Sequence, residues 1–144
     1  MKEDISKRKY DLTTLKFISI FENITNAHVV DAFFNSQGVF VVIVEPGDAK
    51  IAIGRNGEKV KNVMAIIKKP IKIVEYNSDP VKFLSNLLLP LVVDSIESKD
   101  GGIIIKDKNR EKRSLIIGRE SQNLKELENI MKRFFDIKFI KVVG

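Results

Sequence analysis

The chain has 144 residues, enough for one ordinary domain or two small ones, and 44% hydrophobic with 31% charged residues describes a packed core under a soluble surface. It contains no cysteine, which excludes disulfides, cysteine zinc sites and thiol catalysis, and no apolar run approaches the roughly 18 residues of a membrane span. A formal net charge of +6 favours a polyanionic partner, nucleic acid before an acidic membrane surface, although a basic balance also serves solubility alone.

Basic side chains gather at Lys7-Arg8-Lys9, between Lys59 and Lys69, and between Lys106 and Arg119. The start, MKEDISKRKYDL, is charged and lacks the apolar centre of a signal peptide, which predicts a cytoplasmic protein. From Leu12 to Ile24, Leu15, Ile18 and Phe21 recur at helical spacing, and Asp11, Thr13 or Thr14 stands where an N-cap belongs. The next two apolar runs, 29–34 and 39–44, are β-branched and aromatic around Asn35-Ser36-Gln37-Gly38, a hairpin pattern. Pro46-Gly47-Asp48 breaks the second strand, and Asp48 is placed to cap a short helix ending at Ile53. Beyond Gly54-Arg55-Asn56-Gly57, the residues Val60, Val63, Met64 and Ile67 share one helical face; Pro70 stops that helix and IKIVEY reads as a strand. Ser78 or Asp79 caps the next helix, with Pro80 in its first turn and Phe83, Leu84, Leu87, Leu88 and Leu89 making it apolar on most sides. Strands are predicted near 92–97 and 102–106, a helix leading to Ile117, another from Ser121 to Phe134, and a last strand over 137–143.

The order repeats. VVDAFF, GVFVVIV, IAIGRNG, VKNVMAII and IKIVEY are answered by VVDSIE, GGIIIKD, LIIGRES, LKELENIM and IKFIKVV. Val29-Val30-Asp31 matches Val92-Val93-Asp94 at an offset of 63, and Gly54 matches Gly118 at 64. Landmarks in one order at a nearly constant offset predict tandem domains of about 70 residues, 1–77 and 78–144, each small but able to fold.

The glycines therefore join two helices near the end of each copy. A sharp turn there needs positive φ or close backbone approach, and glycine permits both. The second helix begins with unpaired N–H groups and the positive end of its dipole, so a phosphate can approach it. Arg55 adds a permanent charge and a forked donor, and no acid interrupts Gly54-Arg55-Asn56-Gly57. Ile51, Ala52 and Ile53 would form an apolar floor for bases. Lys59 and Lys61 follow the first loop, and Arg119 and Lys125 take matching places in the second copy; an ordinary solvated face explains such lysines equally simply. The second tetrad, Gly118-Arg119-Glu120-Ser121, admits an acid and replaces the last glycine by a serine placed to cap a helix. Gln122 and Asn123 behind it are either donors to phosphate or base edges, or plain first-turn polar residues. A lone G-x-x-G is also no more than a helix–helix turn.

With I-x-I-G-x-x-G entering a helix and a strand, the pattern resembles the KH domain, which clamps about four nucleotides of single-stranded nucleic acid on its glycine loop. The tandem pair, with IIGRESQNLKEL as second loop and LTTLKFISIFENIT near its start, is similar to the KH pair of the NusA family in its short archaeal form; the likeness spans Leu12 to Val143. The resemblance implies an α+β fold of two tandem type II KH domains, each α-β-β-α-α-β with a three-stranded sheet packed by helices. It implies a single-stranded RNA-binding protein, monomeric and without cofactor or metal, acting on nascent transcripts in termination or antitermination. Its site residues would be Ile53, Gly54, Arg55, Asn56, Gly57, Lys59 and Lys61, with Gly118, Arg119, Ser121, Gln122, Asn123 and Lys125 in a weaker second copy. RNA polymerase is a further partner that the resemblance alone suggests, since the polymerase-binding and S1 domains of the bacterial form have no counterpart in this pattern. The other reading is an adaptor, or a ribosome-associated protein, working mainly through protein contacts or ribosomal RNA.

Catalysis finds little support. No Walker spacing is present. His28 stands alone before a strand, and the repetition of Asp31 as Asp94 points to one structural job done twice.

Overall fold

A computed structural model describes residues 10–144; Lys7-Arg8-Lys9 and the rest of the first nine residues lie outside the described residues. The chain divides into two compact units, residues 10–77 and Ser78–Gly144. Each is α+β, a three-stranded mixed sheet packed by helices. Among the described residues no helix is long and apolar enough to cross a membrane.

The first unit opens with α1 (Leu12–Thr25), whose Asp11 carboxylate accepts from the Thr14 N–H at 2.7 Å. The hairpin of β1 (Val29–Phe34) and β2 (Phe40–Val44) is antiparallel, and the Asn35 side chain closes it by accepting from the N–H groups of Gln37 and Val39. Then come α2 (Ala49–Ile53), α3 (Glu58–Ile67) and β3 (Ile71–Glu75), which runs parallel to β2. Phe21, Phe40, Val42, Val44, Ala52 and Val63 form the core between sheet and helices. Removing a ring such as Phe21 would cost about 3–5 kcal/mol. The run FVVIV does not alternate because β2 is buried along its whole length. Asp31, Val41, Ile43 and Val74 are buried on the other face of the sheet, where the Tyr10 hydroxyl donates to Asp31 at 2.8 Å.

The second unit has α4 (Pro80–Leu88), β4 (Ser95–Lys99), β5 (Gly102–Lys106), α5 (Arg110–Ile117), α6 (Gln122–Phe134) and β6 (Ile140–Val143). The hairpin is again antiparallel and the last pair parallel. Phe83 of α4 meets Phe134 of α6 edge-on, ring centroids 5.4 Å apart, above buried Ile103, Ile105 and Met131.

Several sequence expectations are corrected. The strand expected at 92–97 lies at Ser95–Lys99, because Asp100 and Gly101, both at positive φ, close a two-residue turn that pairs Lys99 with Gly102. Val92 is left 67% exposed. The last strand begins at Ile140, three residues later than its apolar run. Helix α3 stops at Lys68 in the left-handed conformation, before Pro70 is reached. Asp31 and Asp94 do different jobs: Asp31 is buried in β1, whereas Asp94 precedes β4 and accepts from the Lys108 N–H.

Candidate nucleic-acid interface

The two glycine-led turns have the same backbone. Gly54 has φ 77°, ψ 178° and Gly118 has 73°, 173°. Asn56 at 55°, 25° is answered by Glu120 at 54°, 31°, and Gly57 at 73°, 16° by Ser121 at 60°, 21°. One conformation is thus held by GRNG and by GRES. In each unit it joins two helices through a tight turn, closed at 3.2 Å by the Gly57 N–H on the Gly54 carbonyl or the Ser121 N–H on the Gly118 carbonyl.

The glycines of a tetrad are not equivalent. A Cβ on Gly54 would lie 2.8 Å from Lys59 Cγ and 3.1 Å from the Lys59 backbone nitrogen; on Gly118 it would lie 2.7 Å from Asn123 Cγ. Their φ and ψ also fall in a region that only glycine occupies comfortably. At Gly57 the nearest atom to such a Cβ is Lys61 Cε at 3.6 Å, so a side chain has room there and only the positive φ opposes it. Ser121 occupies that place in the second unit. It does not cap α6: its side chain makes no capping hydrogen bond, because the left-handed backbone turns it away from the role expected of it.

Lys59 and Asn123 are the matching covers of these first glycines. The Lys59 ammonium lies 3.4 Å from the Thr25 carbonyl at the end of α1, and the Asn123 amide donates to the Leu115 carbonyl at 2.9 Å. Both hold the turn against its scaffold. Lys61 reaches back to the Asn56 carbonyl at 3.4 Å. Arg55 and Asn56 are exposed. In the second unit Arg119, Glu120, Gln122 and Lys125 line an open depression with Glu126 and Asn129. The side chains of Arg119, Glu120, Gln122 and Lys125 make no hydrogen bond or ion pair among the described residues.

The apolar approach splits in two. Ile51 and Ile53 are 46% and 42% exposed, while Ala52 between them is core. Ala52 therefore belongs to the packing and not to a floor. Leu115, Ile116 and Ile117 repeat the arrangement, with Ile116 buried and Leu115 exposed.

A carboxylate fixes each helix–loop–helix to the entry of its first strand, and sequence reasoning missed this. Asp48 was expected to cap α2; instead its carboxylate accepts from the His28 N–H at 2.8 Å and lies 3.1 Å from His28 Nδ1. The His28 N–H is the main cause that holds the Asp48 carboxyl below its usual range. In the second unit Asp107, at the end of β5, accepts from the N–H groups of Asn109 and Asp94 at 2.8 and 3.1 Å, with the Lys112 ammonium at 3.6 Å. The Asn109 N–H is the largest cause lowering its pKa; the Asp94 N–H and Lys112 add to it, and burial opposes them. Much of the basic stretch 106–119 is tied to this scaffold. Lys106 pairs with Glu97, Lys112 also donates to the Val92 carbonyl, and Arg113 donates to the Asp107 carbonyl. Glu58, exposed in the first turn of α3, was a further omission: it puts an acid one residue past the first tetrad.

Two α-β-β-α-α-β units, each presenting an exposed arginine on the same glycine-led turn, define a tandem helix–loop–helix protein. No family model matches the chain. It is 35% identical over 141 residues to the "Probable transcription termination protein NusA" of Methanocaldococcus jannaschii, covering 94% of this chain and 76% of the relative. To the protein of the same description in Methanococcus vannielii it is 33% identical over 130 residues, covering 88% and 75%. A solved structure described as "Crystal structure of APE1850" matches with a TM-score of 0.68 at 25% identity, over 94% of this chain and all of that one. The chain belongs to the NusA family.

Proposed function

We propose that this is a cytoplasmic RNA-binding factor of transcription termination or antitermination whose two units are type II KH domains. It works by recognition without catalysis and without a cofactor. A single strand of RNA passes between the turn Gly54–Gly57 and the exposed Ile51 and Ile53. Its phosphates meet Arg55, Asn56 and the first N–H groups of α3, with Lys61 alongside. Lys59 contributes by holding the turn. The second turn binds more weakly through Gly118, Arg119, Ser121, Gln122 and Lys125, with Asn123 as its support. The names of the relatives support the termination role, and nascent RNA and RNA polymerase are the partners that follow from it.

One observation carries the reading: an unusual backbone, with positive φ at three of four residues, recurs in both units although the sequence filling it has changed. A plain connection between helices has no need to keep that shape at a residue as unsuited to it as Glu120. The test is a titration of labelled single-stranded RNA against the wild type and the double variant Arg55→Asp with Asn56→Asp. Both glycines remain, so circular dichroism should be unchanged. Affinity should fall by about tenfold or more, which is about 1.4 kcal/mol per decade. Binding equal to the wild type would reduce the turn to a connection.

A further inference from the structure

Among the described residues, the second sheet has one face that its own helices do not cover. Ile103, Ile105 and Ile140 point into the core. Strand alternation and register put the other set on the opposite side: Glu97, Ile104 and Lys141 in one row, Lys99 beside Gly102 in the next. Phe139 stands just before β6 on that side, and its carbonyl accepts from the Ile103 N–H at 3.0 Å. A Cβ on Gly102 would meet Phe139 Cδ2, Cε2 and Cζ, all at 2.5–2.6 Å. Three contiguous ring atoms at nearly equal distance mean that the flat of the ring, not its edge, lies on the glycine. The Lys141 ammonium is 4.9 Å from the ring centroid. The Lys138 stem runs past Gly101, where a Cβ would be 3.3 Å from its Cδ. Lys99, Lys138 and Lys141 are exposed and have no acidic partner among the described residues.

The first unit lacks this arrangement. Its matching carbonyl, accepting from the Phe40 N–H, belongs to Pro70, and Val39 stands where the second unit has Gly102. The corresponding face there is buried at Val41, Ile43 and Val74. The glycine and the ring it accommodates occur together in the second unit, beside Lys99 and Lys141.

We propose that this open face is a second contact surface for single-stranded RNA, with one base stacked on Phe139 and with Lys99 and Lys141 meeting the phosphates. A flat ring among cations suits a base and a polyanion at once, and stacking tolerates any sequence. The base takes the place of the Lys141 ammonium over the ring, which frees that ammonium for a phosphate.

The chain has no tryptophan, so Phe139→Trp introduces a single reporter into the full protein. The probe is a labelled 12-nucleotide single-stranded RNA. Tryptophan emission should be quenched along the same curve as the anisotropy of the RNA. Phe139→Ala should weaken binding about tenfold, and Lys141→Ala should lower the log–log salt slope by about 0.7. Lys141→Ala, on an exposed side chain, keeps the test open should Phe139→Ala fail to fold. Unchanged emission, or a folded Phe139→Ala that binds like the wild type, overturns the proposal and leaves the face to a protein partner. Repeating the quench in the Arg55→Asp, Asn56→Asp background separates the two surfaces. Failure of the first loop shows as undiminished affinity in that double variant alone, failure of the sheet face as absent quenching in either background.

Discussion

The two turns differ less in charge than their tetrads suggest and more in where the charge sits. GRNG is followed by Glu58, and GRES is followed by Gln122, so each five-residue turn carries one arginine and one glutamate. In the first unit the acid has moved out of the turn into the first helical residue, and the left-handed position is held by the neutral Asn56. In the second the acid occupies that left-handed position as Glu120. Lys59 and Lys61 then follow the first turn, whereas Asn123 and Lys125 follow the second. Equal backbones with relocated charge separate what holds the shape from what the shape presents.

The largest effect should come from the residues that hold the shape. Gly54→Ala places a Cβ against the Lys59 backbone and demands a φ and ψ foreign to alanine; Gly118→Ala makes the same conformational demand and places a Cβ against the Asn123 side chain. Each should destabilise the protein by about 1–3 kcal/mol, read as a lower melting temperature. If Gly54→Ala costs nothing while Gly118→Ala unfolds the protein, the equivalence of the turns fails.

Next is the carboxylate that anchors the second turn. The folded-state pKa of Asp107 is lowered, so its stabilising contribution is complete above the unfolded value of about 3.9 and is lost as pH falls through the folded one. Wild-type melting temperature should drop below about pH 4. Asp107→Asn should be less stable at neutral pH and show a shallower acid limb. An unchanged limb would show that Asp107 does not anchor the turn.

Smaller effects sharpen the contrast. Ser121→Gly relieves a positive φ and should stabilise by about 0.5 kcal/mol, whereas Gly57→Ser should cost a similar amount and still fold. Glu120→Asn, which copies the first turn, should leave RNA affinity unchanged or raise it by up to about fourfold, the worth of one charge some 5 Å from a phosphate in water. A clear loss of affinity would make Glu120 a ligand-binding group.

Much of this was legible in the chain. Helical spacing, the hairpin residues and Pro80 located most elements, and the repeated glycine led to both turns. What escaped notice has physical causes. The start of β4 depended on the turn at Asp100-Gly101, not on the apolar Val92 and Val93. Asp48 looked like a cap because an acid before a helix usually is one, but the His28 N–H lay within reach across the fold. Lys59 looked like a free charge because one-dimensional spacing does not reveal that a side chain lies across a glycine. The flat berth of Phe139 on Gly102 joins residues 37 positions apart and left no local signal.

If the turn Gly54–Gly57 grips RNA as proposed, its backbone must feel the ligand first. Amide NMR shifts of the full chain, followed on adding a short single-stranded RNA, test it most directly. The largest early shifts should fall at Gly54, Arg55, Asn56, Gly57 and Glu58, with Gly118 to Gln122 responding at higher RNA concentration. Saturating RNA that leaves the amides of Gly54 to Glu58 unmoved would contradict it.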